Sequence, residues 1–140
     1  MPGQPSTSRD PRRLRGMLER AGELSGEHGV GSVFVGIAAP EGDLLAPEFI
    51  DFVESELRVE DLLFRIMRER AVLLLTDVDR AGAESVLERL RDDFASRFSR
   101  PEPFEARLGF YEVPAGTPHV TAKRVLPTLF GGEGEAGEPE

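Results

Sequence analysis

Two residues three apart, Arg58 and Asp61 in the run Arg58-Val59-Glu60-Asp61, carry the most recognisable chemistry in this 140-residue chain. An arginine presents a planar fork of N–H donors and an aspartate an acceptor-only carboxylate, so side by side they offer both halves of a hydrogen-bonding code. The bland reading of the same spacing is a surface ion pair worth at most about 1 kcal/mol at the end of a helix. Other reactive groups are scarce. There is no cysteine, hence no disulfide, no thiolate nucleophile and no Cys-based zinc site. His28 and His119 stand in Gly- or Pro-rich stretches outside any metal-ligand spacing, and exposed histidines are expected there.

The pattern around the pair supplies a scaffold. Residues 62–66 and 71–75 are apolar runs of strand length on either side of Met67-Arg68-Glu69-Arg70, which predicts an antiparallel hairpin with a buried second arm. The reversal is unusual in holding no Gly, Asn or Asp. Ahead of the pair, Pro47 opens a helix over 47–57, with Phe49, Ile50, Val53 and Leu57 as its apolar stripe. Beyond the hairpin, Thr76-Asp77-Val78-Asp79 leads into a long helix over 81–98, where Ala83, Val86, Leu87, Leu90, Phe94 and Phe98 recur at helical spacing. Pro101 and Pro103 then break it.

Upstream, Asp10-Pro11 provides an N-cap and a first-turn proline. The helix this starts, over 12–24, sets Leu14, Met17, Leu18, Ala21 and Leu24 on one face and Arg12, Arg13, Arg15 and Arg20 outside it; Gly26 and residues 29–31 are expected to end it. Residues 32–39, SVFVGIAA, lack polar alternation and predict a central strand buried on both faces. Pro40-Glu41-Gly42-Asp43 is a turn. Residues 104–111 alternate Phe104, Ala106, Leu108 and Phe110 against Glu105, Arg107 and Gly109, a half-buried strand. Residues 113–118 form a loop, and the pattern over 120–130 leaves helix and strand both open. After the first helix the order is strand, helix, strand, strand, helix, strand. That is an α+β fold with a ferredoxin-like β-α-β-β-α-β core and an extra N-terminal helix.

An apolar fraction of 39% in this length suits one domain with one core. The boundaries expected are a disordered N-terminus over 1–9, a single domain over 10–130 and an acidic disordered tail over 131–140. With 17 Lys and Arg against 26 Asp and Glu, the net charge of -9 argues against nucleic acid as a partner, though not against a small anion in a local pocket. No apolar run follows the basic N-terminal residues and none reaches membrane-spanning length. A soluble, cytoplasmic protein without membrane contact or cofactor is the expectation.

Arg58-x-x-Asp61, five residues, then Met67-Arg68-Glu69-Arg70-Ala71 and an apolar strand resembles the hairpin of GGDEF-domain diguanylate cyclases, in which an Arg-x-x-Asp inhibitory motif precedes the signature by the same interval. The likeness runs from Gly42-Asp43 through the strand containing Ala106-Arg107-Leu108-Gly109-Phe110, and the family core is of the same ferredoxin-like kind. Met67, Arg68, Glu69, Arg70 and Ala71 occupy the five signature positions, and of these only Glu69 is a residue the family accepts. The signature glycines would let a backbone approach guanine and phosphate; Met67 and Arg68 fill that space. The first strand, ending Ile37-Ala38-Ala39-Pro40, lacks the family's metal-binding aspartate, and Asp10-Pro11-Arg12-Arg13 lacks most of its opening motif. Gly131-Gly132-Glu133-Gly134-Glu135 imitates the signature in letters but precedes no strand.

What the resemblance implies is a catalytically inactive domain, not an enzyme, that binds cyclic di-GMP as a receptor in bacterial signalling. Guanine offers O6 and N7 acceptors that suit arginine and N1–H and N2–H donors that suit a carboxylate, and Arg58 and Asp61 are one of each. In the family a second arginine, from the helix after the hairpin, completes the site; Arg89 stands at the matching distance. The family's site often takes an intercalated ligand dimer, which implies a ligand-bridged homodimer. The alternative is a protein-interaction module that keeps the fold without binding nucleotide, contacting its partner through Arg68 to Arg70 at the hairpin tip, the basic first helix or the acidic tail.

Overall fold

The structure, a computed structural model, describes residues 9–97 and 106–131. Expectations resting on Phe98, Pro101, Pro103, Phe104, residues 1–8 and the tail beyond Gly131 lie outside them. The element order is α1 (Pro11–His28), β1 (Ser32–Ala38), α2 (Ala46–Glu56), β2 (Leu62–Met67), β3 (Arg70–Thr76), α3 (Arg80–Arg97), β4 (Arg107–Val113) and α4 (Ala122–Phe130). The four strands form one sheet in the order β2-β3-β1-β4, antiparallel throughout. This is the ferredoxin-like arrangement anticipated from pattern, with α1 added ahead of it and α4 behind.

Each face of the sheet carries its own core. Val33, Val35, Ile37, Leu63, Ala71, Leu73 and Leu75 meet Phe49, Ile50 and Val53 of α2 and Ala83, Leu87, Leu90 and Phe94 of α3. Phe49 and Phe94 join those two helices edge to face, with ring centroids 5.1 Å apart. On the opposite face Phe34, Phe64, Val72, Leu74 and Val113 meet Met17 and Ala21 of α1 and Val125 and Leu129 of α4. With helices on both sides, every residue of β1 is buried, which accounts for its unbroken apolar run. The outer edge of β2 is guarded: Arg13 Nε donates to the Leu63 carbonyl at 2.7 Å, and a bulge interrupts the β2–β3 register between Arg65 and Met67.

Several boundaries move. Helix α1 does not stop at Gly26 but runs to His28, where Gly29 takes the left-handed cap at φ 65. Gly22 and Gly26 are packing residues rather than breakers. A Cβ at Gly22 would lie 2.5 Å from the Pro118 carbonyl oxygen, and one at Gly26 2.8 Å from Pro118 Cβ. The hairpin turn shortens to Arg68-Glu69, with Met67 and Arg70 inside the strands. Strand β4 is described over Arg107–Val113, so it takes in Val113 from the expected loop.

The undecided stretch 120–130 is a helix, α4, even though it contains Pro127. Its seat is a glycine pair on neighbouring strands, Gly36 opposite Gly109. A Cβ at Gly36 would fall 2.7 Å from Leu129 Cβ, and one at Gly109 2.4 Å from the Leu129 carbonyl oxygen. The missing side chains let α4 lie directly on the sheet.

Helix α3 opens on Asp79, whose Oδ1 accepts from the Gly82 amide at 2.8 Å and whose carbonyl takes the Ala83 amide. Asp79→Ala is expected to lower stability by about 1 kcal/mol, read as a shift of the urea midpoint at unchanged slope. A shift within error would show that the cap is replaced by water.

Candidate functional site

Arg58 and Asp61 lie in the turn between α2 and β2, where the Asp61 amide donates to the Arg58 carbonyl at 3.0 Å. The β2–β3 register pairs Leu62 with Leu74, which brings Asp61, one step before β2, alongside the end of β3. There its carboxylate is almost enclosed, with 4% of the side chain exposed. Oδ2 accepts from the Arg58 amide at 3.1 Å and from Arg58 Nε at 3.0 Å. Oδ1 accepts from Arg58 Nη2 at 3.0 Å and from the Thr76 amide at 3.1 Å. A carboxylate offers about four lone-pair sites, and all are filled from within the chain.

The arginine is half committed. Its Nη2 also donates to the Thr76 carbonyl at 2.5 Å, so Nε and Nη2 face inward. Nη1 faces outward, 3.4 Å from Glu60 Oε2, and the two side chains are 48% and 47% exposed. The hydrogen bonds to Asp61 hold the guanidinium further above its ordinary pKa, against a smaller lowering by desolvation; the Asp61, Glu60 and Asp77 charges add to the rise. Beside this knot Asp77 adopts φ 59, a left-handed conformation for a residue with a side chain, and its amide donates to the Gly31 carbonyl. Val59, at the tip of the turn, is 98% exposed.

The structure therefore brings Arg58 and Asp61 together. It does not join Arg89 to them by any contact: Arg89 is on the exposed side of α3 without a hydrogen bond or ion pair among the described residues, about 13 Å along the axis from Arg80.

At the hairpin, Glu69 is turned away from solvent chemistry. Its Oε2 accepts from the Gly42 amide at 3.1 Å, and its carbonyl accepts from the Ala39 amide at 2.9 Å. Gly42 has φ 82, which is why a glycine is needed in that turn. Arg70 lies over the Phe130 ring at 5.6 Å, Ala71 is in the core, and Met67 is 53% exposed. The end of β1 borders a cleft of about 550 Å³ lined by Ala38, Ala39, Pro40, Arg91, Ala106 and Arg107. A magnesium ion with nucleotide phosphates needs carboxylates to hold it. This lining has none among the described residues, and Glu69 is engaged elsewhere, so the residues present do not fit that metal.

His28 is less isolated than its spacing suggested. Because α1 runs past Gly26, it stands with Glu23 and Glu27, their ligand atoms within 4.8 Å of one another. All three are exposed, and nothing further there points to an ion. Among the described residues no helix is long and apolar enough to cross a membrane.

No protein-family model matches the chain, and no curated protein matches it. Solved structures do. The diguanylate cyclase SiaD of Pseudomonas aeruginosa, in complex with its activator SiaC, is 26% identical with a TM-score of 0.68, over 89% of this chain and 55% of that one. PelD of Pseudomonas aeruginosa is 24% identical with a TM-score of 0.62, over 75% of this chain and 39% of its own. The GGDEF domain of DgcB from Caulobacter crescentus, in complex with c-di-GMP, is 15% identical with a TM-score of 0.62, over 75% and 72%. The chain thus has the GGDEF fold, and it spans about two fifths of the PelD chain and about half of the SiaD chain.

Proposed function

We propose that this GGDEF-like domain is a catalytically inactive receptor for cyclic di-GMP, with Arg58, Asp61 and Arg89 as its ligand site. The observation that carries the reading is the preformed Arg58–Asp61 knot: the arginine is oriented by two bonds to a buried carboxylate and one to the Thr76 carbonyl, and its outer edge faces solvent. Orientation of this kind lowers the entropy lost when a ligand binds. Asp61 positions Arg58, and Arg89 contributes charge from α3 to the ligand's phosphates. A bound ligand dimer shared by two copies would make a ligand-bridged homodimer. The inactive reading is supported by the hairpin, where Met67 and Arg68 stand in place of glycines and the one carboxylate, Glu69, is bonded to the Gly42 amide, and by the cleft at the end of β1, whose lining has no carboxylate among the described residues.

Calorimetry tests this. Cyclic di-GMP titrated into the wild-type protein should give saturable heat, and Arg58→Ala should weaken binding by about tenfold or more, the effect of losing one charge-assisted hydrogen bond. Absence of heat with the wild-type protein ends the proposal, and so does equal affinity in the variant.

The hairpin tip favours a second reading, a protein-contact module. Ile66 and Met67 are exposed there beside Arg68, and with Arg9, Pro47 and Arg65 they line a groove of about 320 Å³. In that case a partner would be lost on Met67→Glu and retained by Arg58→Ala.

A further inference from the structure

Helix α4 fixes the point at which the following residues leave the domain. Its seat on Gly36 and Gly109 brings Phe130 against the end of the sheet, where the Arg70 guanidinium lies 5.6 Å above the Phe130 ring. Stacking covers one face of a guanidinium and leaves the N–H groups at its edge able to donate. Arg70 is not alone there. The registers put Arg70 of β3, Ala38 of β1 and Arg107 of β4 in one row across the sheet, so their side chains leave the same face, the one that carries α4. Arg107 shares a cleft of about 130 Å³ with Thr128, Leu129 and Phe130. At the hairpin tip Arg68 has 61% of its side chain exposed, with Glu69 as a carboxylate neighbour at 3.9 Å. Glu69 itself is bonded to the Gly42 amide, and Glu41 stands in solvent. In a chain of net charge -9 this is a local concentration of positive charge.

The segment that begins at this point has the opposite charge. Residues 132–140 carry Glu133, Glu135, Glu138 and Glu140 and no Lys or Arg. Glu133 is two residues past Gly131, about 7 Å of extended chain, and Glu140 is within about 30 Å. A tether this short holds its charges at roughly millimolar effective concentration. We propose that residues 132–140 fold back over this end of the sheet, their carboxylates pairing with Arg70, Arg107 and Arg68. A second copy of the domain would bring the same arginines against each other, and nucleic acid would meet the excess negative charge of the rest of the chain. Exposed ion pairs are individually weak, so the contact is held by several of them together with the tether, and it yields to salt. An acidic protein partner directed to the hairpin tip would have to displace the tail first.

The chain has no cysteine, so Ala136→Cys accepts a single nitroxide, whose broadening of backbone amide signals maps where the tail goes in the full chain. The amides of Arg68, Arg70 and Arg107 should lose most of their intensity, while that of Val59, at the opposite end of the sheet, keeps its own. Adding Glu133→Gln, Glu135→Gln, Glu138→Gln and Glu140→Gln leaves the tether and removes the charge. The three arginine amides should then recover most of the lost intensity, as they should at about 1 M salt, where the screening length is about 3 Å. Arg68→Gln with Arg70→Gln should produce the same recovery at Arg107 with the tail intact. A tail that merely swings from Gly131 would broaden the neighbouring amides equally with glutamate or glutamine, and that result overturns the proposal. So does broadening that appears only between copies, seen when spin-labelled protein is mixed with isotope-labelled protein that bears no nitroxide.

Discussion

Asp61→Ala should destabilise the protein by about 2–3 kcal/mol and remove ligand binding with it. The Thr76 amide, on a residue 3% exposed, would lose its acceptor at the end of β3, and an unsatisfied buried donor costs about 1–3 kcal/mol. The Arg58 guanidinium would lose two charge-assisted bonds; because it is half exposed, water replaces much of what they supply, and this part is worth at most about 1 kcal/mol. The loop from Arg58 to Asp61 would also lose its tie to β3. Urea unfolding of the wild type and Asp61→Ala measures the first effect, and calorimetry under native conditions the second. A loss of stability below about 0.5 kcal/mol would mean that water enters the site and satisfies Thr76.

Gly109→Val is expected to have the larger structural effect, on the order of 3 kcal/mol or more. Even a bare Cβ at this position meets the backbone of Leu129, 2.4 Å from its carbonyl oxygen and 2.8 Å from its Cα. Backbone cannot rotate aside as a side chain can, so α4 must lift from the sheet. Overpacking alone costs about 1–3 kcal/mol; lifting α4 also exposes part of Val125 and Leu129, which are buried beneath it, at about 25 cal/mol per Å² of apolar surface. The thermal midpoint should drop, and amide exchange across Ala122–Phe130 should accelerate while α3 remains protected. Gly16→Ala is the control. Gly16 is an exposed position inside α1 with no atom near its missing Cβ, and the change should stabilise by up to about 1 kcal/mol. Equal effects at the two positions would show that α4 is not seated on Gly109.

What could be read from the letters depended on whether the cause was local. The stripe Ala83, Leu87, Leu90 and Phe94 lies within one helix and declared itself by period. The arms of the hairpin did so by their apolar runs, and β1 by lacking polar alternation. Helix α4 did not, because it is short, includes Pro127, and is held by two glycines on distant strands. Gly22 and Gly26 read as punctuation for a similar reason: their partner Pro118 is far away in sequence, so packing glycines are indistinguishable from breakers. At the site, the spacing of Arg58 and Asp61 correctly announced a pair. It did not reveal that Asp61 is buried, since its other partner is the amide of Thr76 across the hairpin.

The knot at Asp61 also bears on how such sequences are sorted. An aspartate that fastens a loop to the end of a strand is retained for the sake of folding whether or not any nucleotide is bound. A lineage that abandoned its ligand would keep the arginine and aspartate for that purpose, and a search by those two letters would count it as a receptor. The two solvent-facing positions between them, Val59 and Glu60, are under no such obligation.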